Sequence, residues 1–244
     1  MQLEILNSSK ETLDYEFHGD PSDTSVLVII GHGVTGNKDR PWAIGLAEAL
    51  EKAGFNALRF SFSGNGKSGG NFADSTITKG IKDLKAFVDA ADDEGYTRIC
   101  YVGHSMGAAV GVLSAVKVER IELLVSLSGM VYTQKFVETE FGDQTPGSGC
   151  MWDMPECPLS QAFVDDMKKI DNLLGKTEKI EVPWLIVHGD ADDVVPVEDG
   201  KTIYANAYEP KELVILPGVD HVYSGDGLAL MTEAVVSWIK THHS

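Results

Sequence analysis

Short apolar segments alternate along the chain with longer segments of helical periodicity. Residues 26–30 are apolar at every position, which is typical of a strand buried on both faces of a sheet. Residues 76–93 instead repeat apolar side chains at the spacing of an amphipathic helix. The alternation predicts parallel strands joined by helical crossovers. The predicted strands cover residues 3–6, 12–18, 26–30, 56–60, 99–102, 123–127, 184–187 and 213–216, the first two at the sheet edge, and the predicted helices cover 41–53, 76–93, 105–117, 198–207 and 228–242.

Residues 131–182 break this alternation. The first half of the segment is rich in proline and glycine, and only residues 160–174 have helical periodicity. Roughly fifty residues is far longer than the usual loop of ~2–6 residues. We therefore expect a core domain formed by residues 1–130 and 183–244, and a cap formed by 131–182 over the C-terminal edge of the sheet. The alternative, which is compatible with a cap, is a surface that docks a second copy of the chain as a homodimer.

Two segments match the G-x-S-x-G pattern of a serine nucleophile, at residues 103–107 and 66–70. A nucleophile elbow requires a strand, a sharp turn and then a helix. Ser105 has this context, because an apolar strand precedes it and a helical segment follows it. Ser68 is followed by polar, loop-like sequence. The sequence therefore favours Ser105.

A serine hydroxyl needs a base and an orienting acid, which elbow-type hydrolases place later in the chain in the order acid, then histidine. Of seven histidines, only His221 lies between the last predicted strand and the final helix. The acid is expected after the strand 184–187, where Asp190, Asp192 and Asp193 compete. Local sequence does not distinguish these three carboxylates.

Such a site also needs two backbone N–H donors for the oxyanion that forms during acyl transfer. Met106 is one candidate because it follows the nucleophile directly. The other is expected in the glycine-rich loop 31–36 after the strand 26–30. Glycines let that backbone approach a ligand closely, and Val34 is the candidate donor.

The composition of the chain bears on its binding partners and on its location in the cell. The chain has 37 acidic and 20 basic residues, a net charge of −17, which disfavours binding to nucleic acid or to anionic membranes. No apolar run approaches the ~20 residues of a membrane span, and residues 1–20 do not have the pattern of a signal peptide. Three cysteines are too few for a disulfide framework. We therefore expect a cytoplasmic protein with no metal or cofactor.

Five motifs occur in one order: H-G-V-T-G-N-K at 32–38, F-S-G-N-G-K-S at 62–68, G-H-S-M-G at 103–107, H-G-D-A-D-D-V-V-P at 188–196 and G-V-D-H at 218–221. Together they resemble the α/β-hydrolase superfamily, and in particular the small capped acyl esterases of the cinnamoyl and feruloyl esterase type. The resemblance spans nearly the whole chain except the segment 131–182. It implies an α/β-hydrolase fold, with a mostly parallel central sheet, helices on both faces and an inserted cap.

The resemblance also implies roles for individual residues. In the family pattern H-G-x-x-D-x-x-V-P the acid is the fifth residue, which is Asp192 here, with Asp193 as the second choice. Ser105 and His221 complete the triad, and Val34 and Met106 correspond to the oxyanion donors. Several relatives have an aromatic residue where Val34 stands, so contacts to the substrate are expected to differ there.

The expected activity is that of a serine carboxylesterase that cleaves short acyl or aryl esters of small molecules through an acyl-enzyme. Tyr132, Phe136 and Trp152 in the cap are candidates for an apolar substrate pocket, although they could equally form the core of the cap itself.

Other activities remain open on the same triad. They are a lipase, a thioesterase or a serine aminopeptidase, the last with acidic cap residues such as Glu138, Glu140 and Asp143 as an anchor for a substrate amine. A non-catalytic binding scaffold is the remaining alternative.

Overall fold

A seven-stranded sheet forms the centre of the protein, in a computed structural model that describes residues 4–243. The strand order is β1-β3-β2-β4-β5-β6-β7; β1 is antiparallel to β3 and every other neighbouring pair is parallel. The strands are β1 Tyr15–His18, β2 Val26–Gly31, β3 Asn56–Phe60, β4 Arg98–His104, β5 Ile121–Leu127, β6 Trp184–Gly189 and β7 Lys211–Leu216.

Helices cover both faces of this sheet, because alternate residues of each buried strand point to opposite faces. From β2, Val28 packs in one buried cluster and Ile29 in the other. Helices α1 and α8 supply side chains to the cluster around Val28, whereas α2, α3 and α7 supply those around Ile29. The helices are α1 Pro41–Lys52, α2 Ile77–Asp93, α3 Met106–Ala115, α4 Thr133–Phe141, α5 Gln161–Ile170, α6 Leu174–Thr177, α7 Val197–Asn206 and α8 Gly227–His242.

This architecture confirms the predicted α/β-hydrolase fold class, with one correction at the N-terminus. The predicted edge strand 12–18 is shorter, since only Tyr15–His18 pairs with β3. The predicted strand 3–6 does not form within the described residues, and residue 3 lies outside them. Leu6 makes a single bridge to Thr12, because the Asn7 side chain accepts the N–H groups of Ser9 and Glu11 and closes a tight turn.

The segment 131–182 forms α4, α5 and α6 and a short 3-10 turn at Met151–Asp153. The helical periodicity predicted over 160–174 is interrupted at Asp171, whose φ of 62° ends α5. Apolar side chains of the segment, including Phe141 and Phe163, belong to the same buried cluster as the α2 and α3 face of the sheet. The segment therefore packs as a continuation of the main core on that face.

Parallel strands bring their carboxyl ends to one edge, where the loops after β2, β4, β6 and β7 meet. Those loops contain the candidate catalytic residues. Within residues 4–243, no helix has both the length and the apolar character that crossing a bilayer requires.

Candidate active site

Ser105 stands in a sharp turn between β4 and α3. Its φ of 53° and ψ of −116° are uncommon for a residue with a side chain, and such strain concentrates at functional sites. The turn depends on two close approaches. A Cβ at Gly103 would overlap the carbonyl oxygen of Gly107, and one at Gly107 would overlap backbone oxygens at the end of β2 and in the following loop. The two glycines of the G-x-S-x-G motif are thus required for packing.

His221 and Asp192 come together from two other loops. His221 Nδ1 lies 2.8 Å from Asp192 Oδ2, and the Asp192 side chain has no solvent exposure. A carboxylate only accepts hydrogen bonds, so Nδ1 carries the proton and Nε2 is left as the basic nitrogen. Asp192 Oδ1 accepts the N–H groups of Val194 and Val195 at 3.0 and 2.8 Å, which fixes the carboxylate.

Asp192 is held in its ionised form. Burial by itself raises the pKa of this carboxyl group, but hydrogen bonds from His188 and His221 and from backbone N–H groups outweigh it and place the pKa well below its usual range. His188 Nε2 lies 3.3 Å from Asp192 Oδ2 and 2.9 Å from the Val195 oxygen. Asp192 is therefore a permanent anion beside the His221 imidazole at neutral pH.

The other two candidate acids lie in different environments. Asp190 Oδ1 accepts the N–H of Gly218 at 2.6 Å, which ties the loop after β6 to the loop after β7. Asp193 is exposed and lines a neighbouring cavity. Among the described residues, Asp192 alone of the three hydrogen-bonds to His221.

Two more histidines hold the loops in place. His32 Nδ1–H donates to the Gly33 oxygen at 2.8 Å, and Nε2 accepts the Phe62 N–H at 3.0 Å. Burial lowers the pKa of His32 to about 4, so the ring is neutral and links the loop after β2 to the loop after β3. The buried His104 contacts the His221 oxygen through Nε2 at 2.8 Å, and burial keeps its pKa well below the usual value.

Ser105 and His221 line one cavity of about 240 Å³. The loop after β2 forms a wall beside the nucleophile, since a Cβ at Gly33 would lie 3.3 Å from Ser105 Oγ. Val34, the next residue, lines the cavity. Met106 is the first residue of α3, where N–H groups have no acceptor within the helix. The remaining lining residues are Gly33, Thr35, Gly36, Arg40, Trp42, His104, Trp152, Val194 and Val222.

A family model described as serine aminopeptidase S33, also named Hydrolase_4, matches residues 22–144. The match covers the strand-turn-helix of Ser105 and the loop after β2. The chain belongs to this family of α/β-hydrolases. The whole fold agrees, since the solved structure of Est1E from Butyrivibrio proteoclasticus matches it over nearly the entire chain.

Named relatives of the hydrolase include bacterial and archaeal proteins. The protein YfhR of Salmonella typhi is 29% identical over 226 residues, which is 91% of this chain and 74% of that protein. Est1E from Butyrivibrio proteoclasticus, solved with ferulic acid bound, is 28% identical with a TM-score of 0.86, over 98% of this chain and 99% of that one. The Pyrococcus furiosus esterase Pf2001 is 25% identical with a TM-score of 0.77, over 99% and 92% of the two chains. The hydrolase is therefore esterase-like.

The predicted aromatic pocket residues of the hydrolase divide between two cavities. Trp152 lines the Ser105 cavity, where its φ of 47° turns it out of the 3-10 segment. Tyr132 and Phe136 line a second cavity of about 150 Å³ together with Glu140, while Val194 lines both. Of the three, Trp152 alone is therefore positioned beside the nucleophile.

Sequence reasoning missed several residues of this site. Arg40, Trp42 and Val222 line the Ser105 cavity, and His188 contacts Asp192. Arg40 and Trp42 immediately flank Pro41, the residue that opens α1 after the glycine-rich loop. Their position beside that loop could have indicated that they line the cavity. His188 precedes Asp192 by four residues, but nothing in the sequence shows that the chain folds back over this spacing.

Proposed function

We propose that the hydrolase is a serine carboxylesterase in which Ser105, His221 and Asp192 form the catalytic triad. The single observation that carries the proposal is the 2.8 Å contact between Asp192 Oδ2 and His221 Nδ1, with His221 lining the same cavity as the strained Ser105. The similarity to the esterase Pf2001 supports an ester as the substrate.

The proposed reaction has two steps. The Ser105 hydroxyl oxygen attacks the ester carbonyl carbon while His221 Nε2 takes the hydroxyl proton, and Asp192 stabilises the imidazolium that results. The tetrahedral intermediate collapses as His221 returns the proton to the departing alcohol, leaving an acyl group on Ser105. A water molecule, activated by His221 in the same way, then releases the carboxylic acid and restores the serine.

The backbone N–H groups of Val34 and Met106 are the proposed donors to the oxyanion. The loop of Val34 lies against the Ser105 side chain, and Met106 starts α3 directly after it. A donor aimed at the developing negative charge contributes about 10²–10³ in rate. The positive end of the α3 dipole adds to this stabilisation.

The size and lining of the cavity support a small acyl or aryl group. About 240 Å³ is below the usual range for sites that enclose drug-sized ligands. Trp42, Trp152, Val194 and Val222 provide apolar walls. Trp152 comes from the inserted segment, which acts as a cap in this proposal. The ferulic acid bound to Est1E shows that a similar fold binds an aryl acid.

A serine aminopeptidase is the second candidate, because the matched family carries that description. Such an enzyme needs a carboxylate to anchor the amine of its substrate. Among the described residues no acid lines the Ser105 cavity, but Glu140, Asp193 and Asp199 line the adjoining one. Comparing an aminoacyl para-nitroanilide with a para-nitrophenyl ester of similar size separates the two activities.

The decisive variant is Ser105→Ala, measured with para-nitrophenyl acetate and butyrate. We expect loss of turnover to the background rate, with an unchanged circular dichroism spectrum. Ser68→Ala is the matched control, since Ser68 is the other G-x-S-x-G serine and its hydroxyl only links the Asp14 N–H to the Ser61 oxygen. Full activity of folded Ser105→Ala would contradict the proposal.

A further inference from the structure

Arg40 places a positive charge at the wall of the Ser105 cavity. It precedes α1 and is one of the residues that line the cavity. Its Nη2 donates to the backbone oxygen of Thr35 at 2.9 Å, and Thr35 is itself a lining residue in the loop that contains Val34. A guanidinium has five N–H donors, so this bond engages only a small part of the group.

The other three arginines of the chain all have carboxylate partners. Arg59 Nη1 lies 2.6 Å from Asp39 Oδ1, Arg120 Nε lies 2.5 Å from Asp92 Oδ1, and Arg98 Nε lies 3.5 Å from Glu122 Oε2. Arg40 has no such partner: no carboxylate of residues 4–243 lies within 4.0 Å of its guanidinium nitrogens. In a chain with 37 acidic residues, an arginine without an acid is an unusual arrangement.

The lining of the cavity carries a positive charge and no carboxylate among the described residues. Arg40 is the one residue with a permanent charge among those that line it within the described chain. His104 is held neutral by burial. The amino terminus of α1, which carries a partial positive charge, begins beside Arg40 and supplies Trp42 to the same wall. Trp42 and Trp152 add apolar surface to the walls, and a charge attracts an anion more strongly beside apolar groups than in bulk water.

We propose that Arg40 binds a carboxylate group of the substrate, so that the hydrolase acts on esters that carry a negative charge. This inference rests on the proposed role of Ser105. The guanidinium pairs with a carboxylate through two parallel N–H bonds, while the ester carbonyl lies beside Ser105. Half-esters of dicarboxylic acids and esters of hydroxybenzoic acids have the required chemistry.

Two matched pairs of substrates test the inference. With the anion on the alcohol side, para-acetoxybenzoate is compared with the neutral para-acetoxybenzamide. With the anion on the acyl side, the mono-para-nitrophenyl ester of glutaric acid is compared with the corresponding ester of glutaramic acid, after subtraction of the uncatalysed rate. The readout is the ratio of kcat/KM for the anionic ester to that for its amide. Because the net charge of −17 repels anions from the protein as a whole, a higher kcat/KM for the anionic ester than for its amide indicates a cation near the bound substrate.

The wild-type enzyme is expected to prefer the anionic ester at least about tenfold in one of the two pairs, the size of a charge-assisted pair. Arg40→Gln is expected to bring that ratio to one or below, and Arg40→Lys to keep part of it. Arg120→Gln is the matched control, because it removes the same charge from a half-buried position that does not line the Ser105 cavity, and it should leave the ratio unchanged.

Two results would overturn the inference. One is a wild-type ratio near one in both pairs. The other is a ratio that Arg40→Gln leaves intact while lowering both rates equally, which would mean that Arg40 only positions the Thr35 loop. A binding measurement keeps the test separate from catalysis: calorimetry of para-hydroxybenzoate and para-hydroxybenzamide with Ser105→Ala protein. We expect Ser105→Ala protein to bind the benzoate more tightly than the benzamide, and the Ser105→Ala/Arg40→Gln protein to lose this preference. This result does not depend on whether Ser105 is the nucleophile. Equal binding of the two compounds to Ser105→Ala protein would also contradict the inference.

Discussion

The two adjoining cavities of the hydrolase share Val194 but differ in the charged residues that line them. The Ser105 cavity is formed mainly by loops at the carboxyl edge of the sheet, and its charged lining residue is the cation Arg40. The second cavity is formed by α4 and by the loop after β6, and Glu140, Asp193 and Asp199 line it with a single lysine, Lys135. The chemistry of acyl transfer fits the first cavity, while the second has the groups that would attract a cation.

The contrast shows how one loop can serve both sites. The loop after β6 directs Asp192 inward to His221, whereas the next residue, Asp193, faces the second cavity. Backbone N–H bonds from Val194 and Val195 to Asp192 hold this reversal in place. Adjacent carboxylates therefore differ completely in burial and partner, and substitutions at the two positions should have very different effects.

Asp192→Asn is expected to have the largest effect, a loss of kcat of about 10³–10⁴ through the wrong His221 tautomer. Asp193→Asn is the matched control and should change kcat by less than about threefold, as expected for an exposed position. Steady-state kinetics with a para-nitrophenyl ester measure both. A larger loss of kcat in Asp193→Asn than in Asp192→Asn would mean that Asp193, and not Asp192, is the catalytic acid.

The neutral, buried His32 should make stability fall with acid. Because burial lowers its pKa from 6.5 to about 4, the unfolded chain binds one more proton between these values. The free energy of unfolding therefore falls as pH drops from about 6.5 to about 4, by about 3 kcal/mol from this group. Urea unfolding at both pH values should show that the free energy of unfolding depends less steeply on pH in His32→Gln than in the wild type. The same change in the free energy of unfolding with pH in both proteins would be inconsistent with a neutral His32.

His188 is expected to act as a positioning residue for Asp192. Its imidazole is fully buried and contacts Asp192 Oδ2 at 3.3 Å, so His188→Gln should let the carboxylate move without changing the cavity. The predicted result is a loss of kcat of about tenfold, in line with the loss of a supporting hydrogen bond, with KM changed by less than about twofold. A rise in KM at unchanged kcat would contradict this role.

An effect of similar size to that of His188→Gln is expected at Trp152, in the wall of the Ser105 cavity. Trp152 stacks edge-on against Phe141 and donates its indole N–H to Glu140. Trp152→Ala should lower kcat/KM for a short ester by about tenfold, which corresponds to the loss of one to two kcal/mol of apolar contact, about what a partly buried side chain contributes. Tyr132→Ala, in the second cavity, should have little effect. Equal losses would indicate that the substrate occupies both cavities.

The parts of the fold that local pattern determines could be predicted from the sequence. Buried strands such as β2 are apolar throughout, and the elbow of Ser105 depends on glycines close to it in the chain. The path of residues 4–12 could not be predicted, because it depends on the Asn7 side chain, which accepts two backbone N–H groups and closes a tight turn. The positions of α4 and α5 in the fold could not be predicted either, because their apolar residues pack in the same cluster as the helices on one face of the sheet.

The site shows the same division. The candidates Ser105 and His221 followed from their positions between predicted elements. Local sequence left three aspartates equivalent, because the contact that separates them joins residues 29 positions apart, and Asp192 was singled out only by the family resemblance. Arg40 was missed because its proposed role rests on a spatial feature, the absence of a carboxylate of residues 4–243 within 4.0 Å of its guanidinium nitrogens. A cytoplasmic location and a homodimer formed through residues 131–182 stay predictions.

Covalent labelling of the active-site serine shows whether Ser105 is the nucleophile of this hydrolase. A fluorophosphonate probe reacts with an activated serine, and peptide mass spectrometry locates the adduct. We expect one adduct, on Ser105, formed in the wild type and in Ser68→Ala and strongly slowed in Asp192→Asn. An adduct on another serine, or ester turnover by a protein whose Ser105 the probe never modifies, would contradict this assignment.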